Sequence, residues 1–268
     1  MNQDLLLESY LKQLRLPCFV DSYQALAQEA ARNNLSYERY LLALAQDEVA
    51  RPEPNRIERA ITNAHFPGLK DLAEFDWSCV PDLPKPRILE LAQGGYISRA
   101  EPILLVGNPG LGKTHVATGL ALAACRQGRR VRFYNAAGLV NELIKAQQDY
   151  RLSRLMTQLG KHELIVLDEL GFIPFTATGA QLLFQLCSAL YERVAIIVTT
   201  NLRFAEWSHV MGGDERMSAA LLDRLTHRAT IIEFVGTSFR FRQQLQRQEL
   251  QVAMPAELGE VLGVAEGV

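Results

Sequence analysis

The chain has 268 residues, of which 48% are hydrophobic and 22% are charged, and its net charge is −2. This length and composition suit one substantial core with a smaller unit beside it. The net charge of −2 is unlike that of a monomeric DNA-binding domain, which is usually basic. The absence of a ~18-residue apolar run excludes a membrane helix, and the acidic start at Asp4 is unlike a signal peptide, so we expect a cytoplasmic protein without membrane contacts.

The first 78 residues show helical periodicity and no strand-like run. Apolar residues at helical spacing form three stripes, which begin at Leu5, Tyr23 and Tyr40. Pro17 ends the first stripe, and Ser36 marks the start of the third. We predict a small all-α domain over 1–78. Such stripes are usually buried in a core, but they can also form a face for DNA, a partner or a second copy of the chain.

Prolines divide this helical segment from the rest of the chain. Pro81, Pro84 and Pro86 disfavour a long helix, and we interpret 79–86 as a linker. An α/β domain is predicted over 87–250. The last segment, 251–268, contains Pro255 and several glycines and is predicted to be a disordered tail.

A phosphate-binding pattern lies in the α/β segment. Residues 107–114, GNPGLGKT, complete G-x-x-x-x-G-K-[ST] directly after the apolar run 103–106, and a helix-forming segment follows from Thr114 to Gln127. Strand, loop and helix in this order hold phosphates through backbone N–H groups and the positive helix end. Lys113 should reach the outer phosphates, and Thr114 should bind Mg²⁺. The predicted nucleotide-binding residues are Gly107, Asn108, Pro109, Gly110, Leu111, Gly112, Lys113, Thr114 and His115.

An acidic pair follows the next apolar strand. Residues 164–167, LIVL, lead directly into Asp168 and Glu169. Ligands lie beyond the carboxyl ends of parallel strands, so we predict that Asp168 holds Mg²⁺ and that Glu169 orients and deprotonates a water. An acidic pair in this place can also be a solvated strand end. The phosphate loop upstream favours ATP hydrolysis.

Two further polar residues are candidates for catalysis. Strand 194–198 is followed by Thr199, Thr200 and Asn201, and Asn201 could position the attacking water or merely cap the next element. Arg224 lies in an otherwise apolar helical segment. It could pair with an acid or extend to water, or it could reach the γ-phosphate of a neighbouring subunit, where such a finger contributes about 10³–10⁵ in rate.

The cysteines and histidines show no metal-ligand spacing. The four cysteines are far apart, form no C-x-x-C pair and are expected to be reduced core thiols. His115, next to Thr114, is expected to pack against the sheet rather than to transfer protons.

These motifs together resemble the AAA+ ATPases, and among them the IstB-type helper ATPases of bacterial insertion sequences, relatives of the DnaC helicase loaders. The resemblance covers most of the chain. The specific motifs are TTN at 199–201 with FAEW at 204–207, and LDRL at 222–225 with His227; less specific are 107–115, 168–172, 183–185 and 191–192. This sequence departs from the family in having Asn108 where Pro is frequent and Thr200 where Ser is frequent.

The resemblance implies an AAA+ P-loop core with a parallel sheet flanked by helices behind a small all-α domain. It also implies ATP and Mg²⁺ as cofactors, and duplex DNA, a transposase from the same element and further copies of the chain as partners. The implied roles are phosphate and metal binding for Lys113 and Thr114, catalysis for Asp168 and Glu169, a sensor for Asn201, a finger in trans for Arg224, and a second sensor for Arg240.

Basic residues occur in clusters despite the net charge. One cluster, at 126–132, surrounds the end of the predicted P-loop helix. The resemblance favours instead the segment 140–161 as the DNA-contacting helical element, with Lys145, Arg151, Arg154 and Lys161. In an oligomer, a modest patch on each subunit repeats along the duplex, so phosphate contacts add.

Three functions remain open from the sequence. The first is an ATP-dependent transposition helper that assembles on target DNA and disassembles on hydrolysis. The second is a helicase loader that binds a replicative helicase through its N-terminal region. The third is a P-loop kinase for a small acceptor, against which the combination of Glu169, Asn201 and Arg224 argues.

Overall fold

The computed structural model describes residues 3–14, 16–50, 54–236 and 238–239. Arg240 and the segment 251–268, for which the sequence predicted a second sensor and a disordered tail, lie outside this part of the chain. The helices before the first strand are α1 (Gln3–Gln13), α2 (Pro17–Arg32), α3 (Tyr37–Ala50), α4 (Pro54–Ala64), α5 (Lys85–Leu91) and α6 (Gly95–Ser98).

Strands and helices alternate through the rest of the described chain. The strands are β1 (Ile103–Gly107), β2 (Val131–Asn135), β3 (Leu164–Leu170), β4 (Ala195–Thr200) and β5 (Thr230–Phe234). The helices are α7 (Lys113–Arg126), α8 (Ala136–Gln148), α9 (Leu152–Leu159), α10 (Ala177–Leu190), α11 (Trp207–Val210) and α12 (Glu215–Thr226). The strands form one parallel sheet in the order β2-β3-β4-β1-β5, and the predicted α/β class is confirmed.

Apolar side chains cover both faces of the sheet, because successive residues of a strand point to opposite sides. Ile103 and Leu105 pack with α7 and the segment 64–97. Leu104, between them, packs on the other face with α8, α10 and α12. A parallel sheet buried on both faces explains why β1, β3 and β4 are continuous apolar runs.

The first three helices agree with the predicted stripes in position, but their apolar residues are largely exposed. Leu11, Tyr23 and Leu44 are buried, whereas Leu5 and Leu14 are 66% and 68% exposed. α2 packs against both α1 and α3. A stripe identifies one face of a helix, but it does not show how much of that face its neighbours cover, and here three short helices cover little of it.

The predicted linker at 79–86 is part of the core. Val80 and Leu83 are buried among residues of the sheet and α7, and α5 begins at Lys85, inside the predicted linker. α4, further upstream, packs against α7 and β2. The prolines do prevent a long helix, but the apolar residues between them are held by the sheet, so the α/β domain includes residues from α4 onward.

Two strands, β2 and β5, were not predicted from the sequence, and they form the two edges of the sheet. The sequence predicted one helical element over 140–161, and the structure has two helices there, α8 and α9, between β2 and β3. All four cysteines are buried thiols outside disulfides, as predicted, and burial raises the pKa of the Cys125 thiol to about 12. Within the described ranges, none of the helices combines the length and apolarity that crossing a bilayer requires.

Gly119 of α7 faces the segment that precedes α5. A Cβ at this position would lie 2.7 Å from Leu72 Cγ and 3.1 Å from Leu72 N. Alanine normally stabilises a helix interior by about 1 kcal/mol relative to glycine, but overpacking costs about 1–3 kcal/mol. We therefore expect Gly119→Ala to lower the free energy of unfolding measured in urea.

Gly138→Ala is the matched control. Gly138 also lies in a helix, and a Cβ there would meet nothing within 4 Å, so this substitution should be neutral or stabilising. Equal stabilisation by both alanines would contradict the close packing of Leu72 on α7.

Candidate functional site

The loop between β1 and α7 is held by its own lysine. Lys113 is buried, and its Nζ donates hydrogen bonds to the carbonyl oxygens of Gly107 and Asn108, at 2.6 and 2.8 Å. Gly112 has φ +91°, a conformation that glycine adopts without the steric penalty of a Cβ. The first turn of α7, which begins at Lys113, lines a cavity of the protein.

Oxygen ligands suitable for a magnesium ion lie beside this loop. Thr114 Oγ1 donates to Asp168 Oδ1 at 2.9 Å, and Thr199 Oγ1 donates to the same oxygen at 2.6 Å. Asp168 is 6% exposed. Hydroxyl and carboxylate oxygens are ligands that Mg²⁺ prefers, usually together with waters and substrate phosphates, so Thr114 and Asp168 fit the predicted metal.

Glu169 points toward solvent and contacts a residue that the sequence analysis missed. Asn135 Nδ2 donates to Glu169 Oε2 at 3.0 Å, while Asn135 Oδ1 caps α8 by accepting from the N–H groups of Ala137 and Gly138. A polar residue at the end of a strand and the start of a helix is a cap signal. Its second contact depends on the pairing of β2 with β3, which the sequence analysis did not predict.

One cavity of 460 Å³ brings most of the predicted residues together. This volume is within the usual range for a small-molecule site, about 300–1,000 Å³. Its lining includes Glu169, Thr199, Thr200, Asn201 and the loop residues Pro109, Gly110, Leu111, Gly112, Lys113, Thr114 and His115. Gly107 and Asn108 support the cavity through their carbonyl contacts with Lys113.

Part of the cavity lining comes from a segment for which the sequence predicted contacts with DNA or a partner rather than a place in this site. These lining residues are Lys70, Glu74, Phe75, Asp76 and Cys79. The segment is held near the loop in part by packing, since a Cβ on Gly112 would meet the ring of Phe75. A contiguous motif could not reveal this part of the lining, because more than thirty residues separate Phe75 from the loop.

His115 contacts this same segment rather than the sheet. Its Nε2 lies 2.7 Å from the carbonyl oxygen of Asp71, and its ring meets Phe75 edge-on with centroids 5.2 Å apart. The expectation that His115 packs against the sheet is therefore corrected. The imidazole joins α7 to a segment that lines the cavity.

The chain after β5 returns to the loop. The N–H of Phe239 donates to the carbonyl oxygen of Gly110 at 3.0 Å, and Phe239 lines the cavity. A Cβ on Gly110 would collide with Ser238. These contacts place the residues just before Arg240 at the phosphate loop.

Arg224 lies elsewhere. Its Nη1 donates to the carbonyl oxygen of Ala220 at 2.8 Å, and its guanidinium lies 4.9 Å from the centre of the Phe184 ring. It lines a second, small cleft with Arg99, Tyr191 and others. Arg224 is not among the described residues that line the 460 Å³ cavity, so the structure does not bring it together with Lys113 and Glu169 of the same chain.

The basic cluster at 126–132 is used inside the molecule. Arg126 pairs with Asp71 at 2.6 Å, Arg129 pairs with Glu163 at 2.9 Å, and Arg132 donates to the carbonyl oxygen of Asn63 at 3.0 Å. These partners occupy the guanidinium groups of Arg126, Arg129 and Arg132. Arg130 shares Glu163 with Arg129 at 3.8 Å, and its side chain is 71% exposed, so most of the cluster, but not Arg130, is used in internal contacts.

The second basic segment is more exposed. Lys145 on α8, Arg154 on α9 and Lys161 after α9 are all exposed to solvent. Arg151 is also exposed, but it forms an ion pair with Asp149. The predicted helical element of 140–161 thus carries accessible positive charge on its surface.

Comparison with known proteins supports the resemblance. The family described as IstB-like ATP binding protein matches residues 9–247. The chain is 33% identical over 245 residues to an ATP-binding protein of insertion sequence IS5376 from Geobacillus stearothermophilus, covering 91% of this chain and 97% of the relative. It is 34% identical over 238 residues to the corresponding protein of IS21 from Pseudomonas aeruginosa, covering 89% of each chain.

Solved structures support the fold at lower identity. DnaA from Aquifex aeolicus, solved with AMPPCP bound, superimposes with a TM-score of 0.54 at 18% identity, covering 72% of this chain and 59% of DnaA. DnaI superimposes with a TM-score of 0.51 at 19% identity, covering 68% of this chain and 94% of DnaI. The AAA+ P-loop core expected from the sequence is thereby confirmed.

Removal of the lysine amine should abolish nucleotide binding. We expect Lys113→Ala to lose the affinity of the protein for a fluorescent ATP analogue, because the variant lacks the cation that is expected to bind the outer phosphates. Lys85→Ala is the control, since Lys85 lies over the Trp77 ring and outside the cavity lining. Unchanged binding by Lys113→Ala, with normal circular dichroism, would contradict the assignment of this loop.

Proposed function

Because the chain belongs to the IstB-like family of ATP-binding proteins, we propose that it is a Mg²⁺-dependent ATPase that assembles on duplex DNA and assists the transposase of its insertion sequence. ATP hydrolysis would drive disassembly. The observation that carries the ATPase part is the convergence of Lys113, Glu169 and Asn201 on one cavity.

Binding of ATP would rearrange the hydrogen bonds of Lys113. In the structure its ammonium group satisfies two loop carbonyls, and in the complex it would turn to the outer phosphates. Magnesium, held by Thr114 and Asp168, would neutralise phosphate charge. The adenine base would pack on an apolar part of the lining, for which the ring of Phe75 is the candidate surface.

Glu169 would act as the general base while it stays in contact with Asn135. The Asn135 amide donates to Oε2 of the Glu169 carboxylate at 3.0 Å. A carboxylate has two oxygens and about four acceptor sites, so this single bond leaves sites that can take a proton from water. Asn201 would hold the water against the γ-phosphate, and Asn135 would orient the carboxylate.

Arg224 would complete the site of a neighbouring subunit. It lies on a cleft separate from the nucleotide cavity of its own chain, and its guanidinium is held by an aromatic ring and a helix carbonyl. Those contacts also fit an arginine that merely extends to water. We favour a role of Arg224 in trans, because ATP hydrolysis would then depend on the assembly of subunits.

DNA binding would use the exposed charges of α8 and α9. Lys145, Arg154 and Lys161 are available to phosphates, and Arg151 would have to exchange Asp149 for DNA. Since most of the cluster at 126–132 is paired internally, one subunit offers few phosphate contacts. Side-by-side subunits would add them along the duplex and would read DNA shape rather than base edges.

A helicase loader is the second candidate function. The similarity to DnaI, at 19% identity, extends to the fold alone and does not distinguish this function from the first. The relatives with 33% and 34% identity are ATP-binding proteins of insertion sequences and match over about nine-tenths of this chain. A transposase gene beside the coding sequence would support the first function, and a replication locus would support the second.

Mixed oligomers test the ATPase mechanism. Glu169→Gln should bind ATP without hydrolysing it, and Arg224→Ala should be inactive alone, since each lacks one part of every composite site. Mixing them should restore phosphate release, because some interfaces combine an intact Glu169 with an intact Arg224. Lack of rescue in mixtures shown to co-assemble would indicate that Arg224 acts within its own chain or has no catalytic role.

Salt dependence tests the DNA-binding surface. With ATP and Glu169→Gln protein, duplex affinity should be cooperative and should fall with salt by about 0.9 log units per log unit for each phosphate contact. Arg154→Glu with Lys161→Glu should weaken binding to all duplexes alike and leave ATP affinity unchanged. The control is Arg87→Glu, a charge reversal on α5 where Arg87 pairs with Glu90. Salt-insensitive binding without ATP would contradict this surface.

A further inference from the structure

The acidic pair lies in an irregular part of the sheet. Leu167 pairs with Val198, but Leu170 pairs with Thr200. Three steps along β3 therefore face two steps along β4. A bulge leaves the backbone groups of the extra residue without ladder partners, and Glu169 has φ +58°, a conformation that a non-glycine residue adopts at a cost.

The side chain of Thr199 replaces the missing backbone contacts. Thr199 is 1% exposed, and its Oγ1 accepts a hydrogen bond from the backbone N–H of Glu169 at 2.9 Å. The same hydroxyl donates to Asp168 Oδ1 at 2.6 Å. One buried hydroxyl thus contacts both acidic residues, and Asp168 Oδ1 also accepts from Thr114.

We propose that Thr199 is a positioning residue for both acids, which sets the direction of the Asp168 carboxylate and holds the backbone from which Glu169 projects. The inference rests on the ATPase function proposed above. The hydroxyl has one proton, and it gives that proton to Asp168 while a lone pair receives the Glu169 N–H. A side chain that only filled space at this position would not need an oxygen.

The direction of the Asp168 carboxylate matters because its Oδ1 is shared with Thr114. Asp168 and Thr114 are the two side chains that fit Mg²⁺, and loss of an outer hydrogen bond to a ligating group typically lowers metal affinity or activity about 10–100-fold. Valine has the shape of threonine without the hydroxyl. Thr199→Val would therefore release Asp168 and leave the Glu169 N–H unpaired while the core stays filled.

The experiment measures two quantities in full-length protein. The first is the Mg²⁺ concentration that half-saturates Mg²⁺-dependent binding of a fluorescent, non-hydrolysable ATP analogue, and the second is the rate of phosphate release from ATP. Thr199→Val should raise the first and lower the second by about 10–100-fold, with little change in Mg²⁺-free binding. Thr199→Ser, which keeps the hydroxyl, should stay close to the parent protein in both.

Thr118→Val is the matched control. Thr118 is fully buried in α7, and its hydroxyl donates to the carbonyl oxygen of Thr114 at 2.7 Å. This variant also loses one buried hydroxyl, but it leaves the acidic pair untouched, so its Mg²⁺ dependence should match the parent protein. If Thr199→Val does not fold, Thr199→Ala replaces it. The smaller alanine side chain leaves space for a water that can accept a hydrogen bond from the Glu169 N–H.

The outcomes separate this inference from the proposed function. Parent-like Mg²⁺ dependence and hydrolysis in Thr199→Val, or equal defects in Thr199→Val and Thr118→Val, would overturn the positioning role. If the parent protein releases no phosphate even with DNA and partners, the ATPase proposal fails. The Mg²⁺-binding arm would still decide whether Thr199 positions Asp168.

Discussion

The site depends on the way parallel strands bring their carboxyl ends to one edge of the sheet. β4 lies between β3 and β1, so the phosphate loop, the acidic pair and Asn201 meet although they are far apart in sequence. The strands must be buried on both faces for this arrangement to be stable. The segment 64–97 covers one of those faces and also contributes Phe75 and its neighbours to the lining of the 460 Å³ cavity, so part of the core is part of the site.

The sequence predicted the elements whose signal is strong and local. β1, β3 and β4 were identified because central strands of a parallel sheet are unbroken apolar runs, and the phosphate loop was identified because its function needs a contiguous pattern. β2 and β5 were missed because they are edge strands with mixed burial, and their sequences, VRFYN and TIIEF, include polar residues. Their pairing is determined by the rest of the sheet.

The missed site residues share one property, which is that the fold alone gives them their contacts. Asn135 reaches Glu169, 34 positions away, because β2 pairs with β3. Thr199 contacts Asp168 and Glu169 because of a bulge in β3 that no local sequence pattern predicts. Phe75 and its neighbours reach the cavity by packing on α7. In the same way, the stripes of α1 and α3 predicted helices correctly but could not predict which residues would remain exposed.

The internal use of arginine connects the weak net charge with the proposed mechanism. Arg126, Arg129 and Arg132 fasten loops and strands of their own chain, which leaves the segment between β2 and β3 as the more accessible basic surface. Under the proposed mechanism, such a surface would hold DNA firmly when it is repeated, and its repetition would require contacts between subunits. If the same contacts delivered Arg224 to a neighbouring phosphate, the assembly that binds the duplex would also be the assembly that hydrolyses ATP and dissociates.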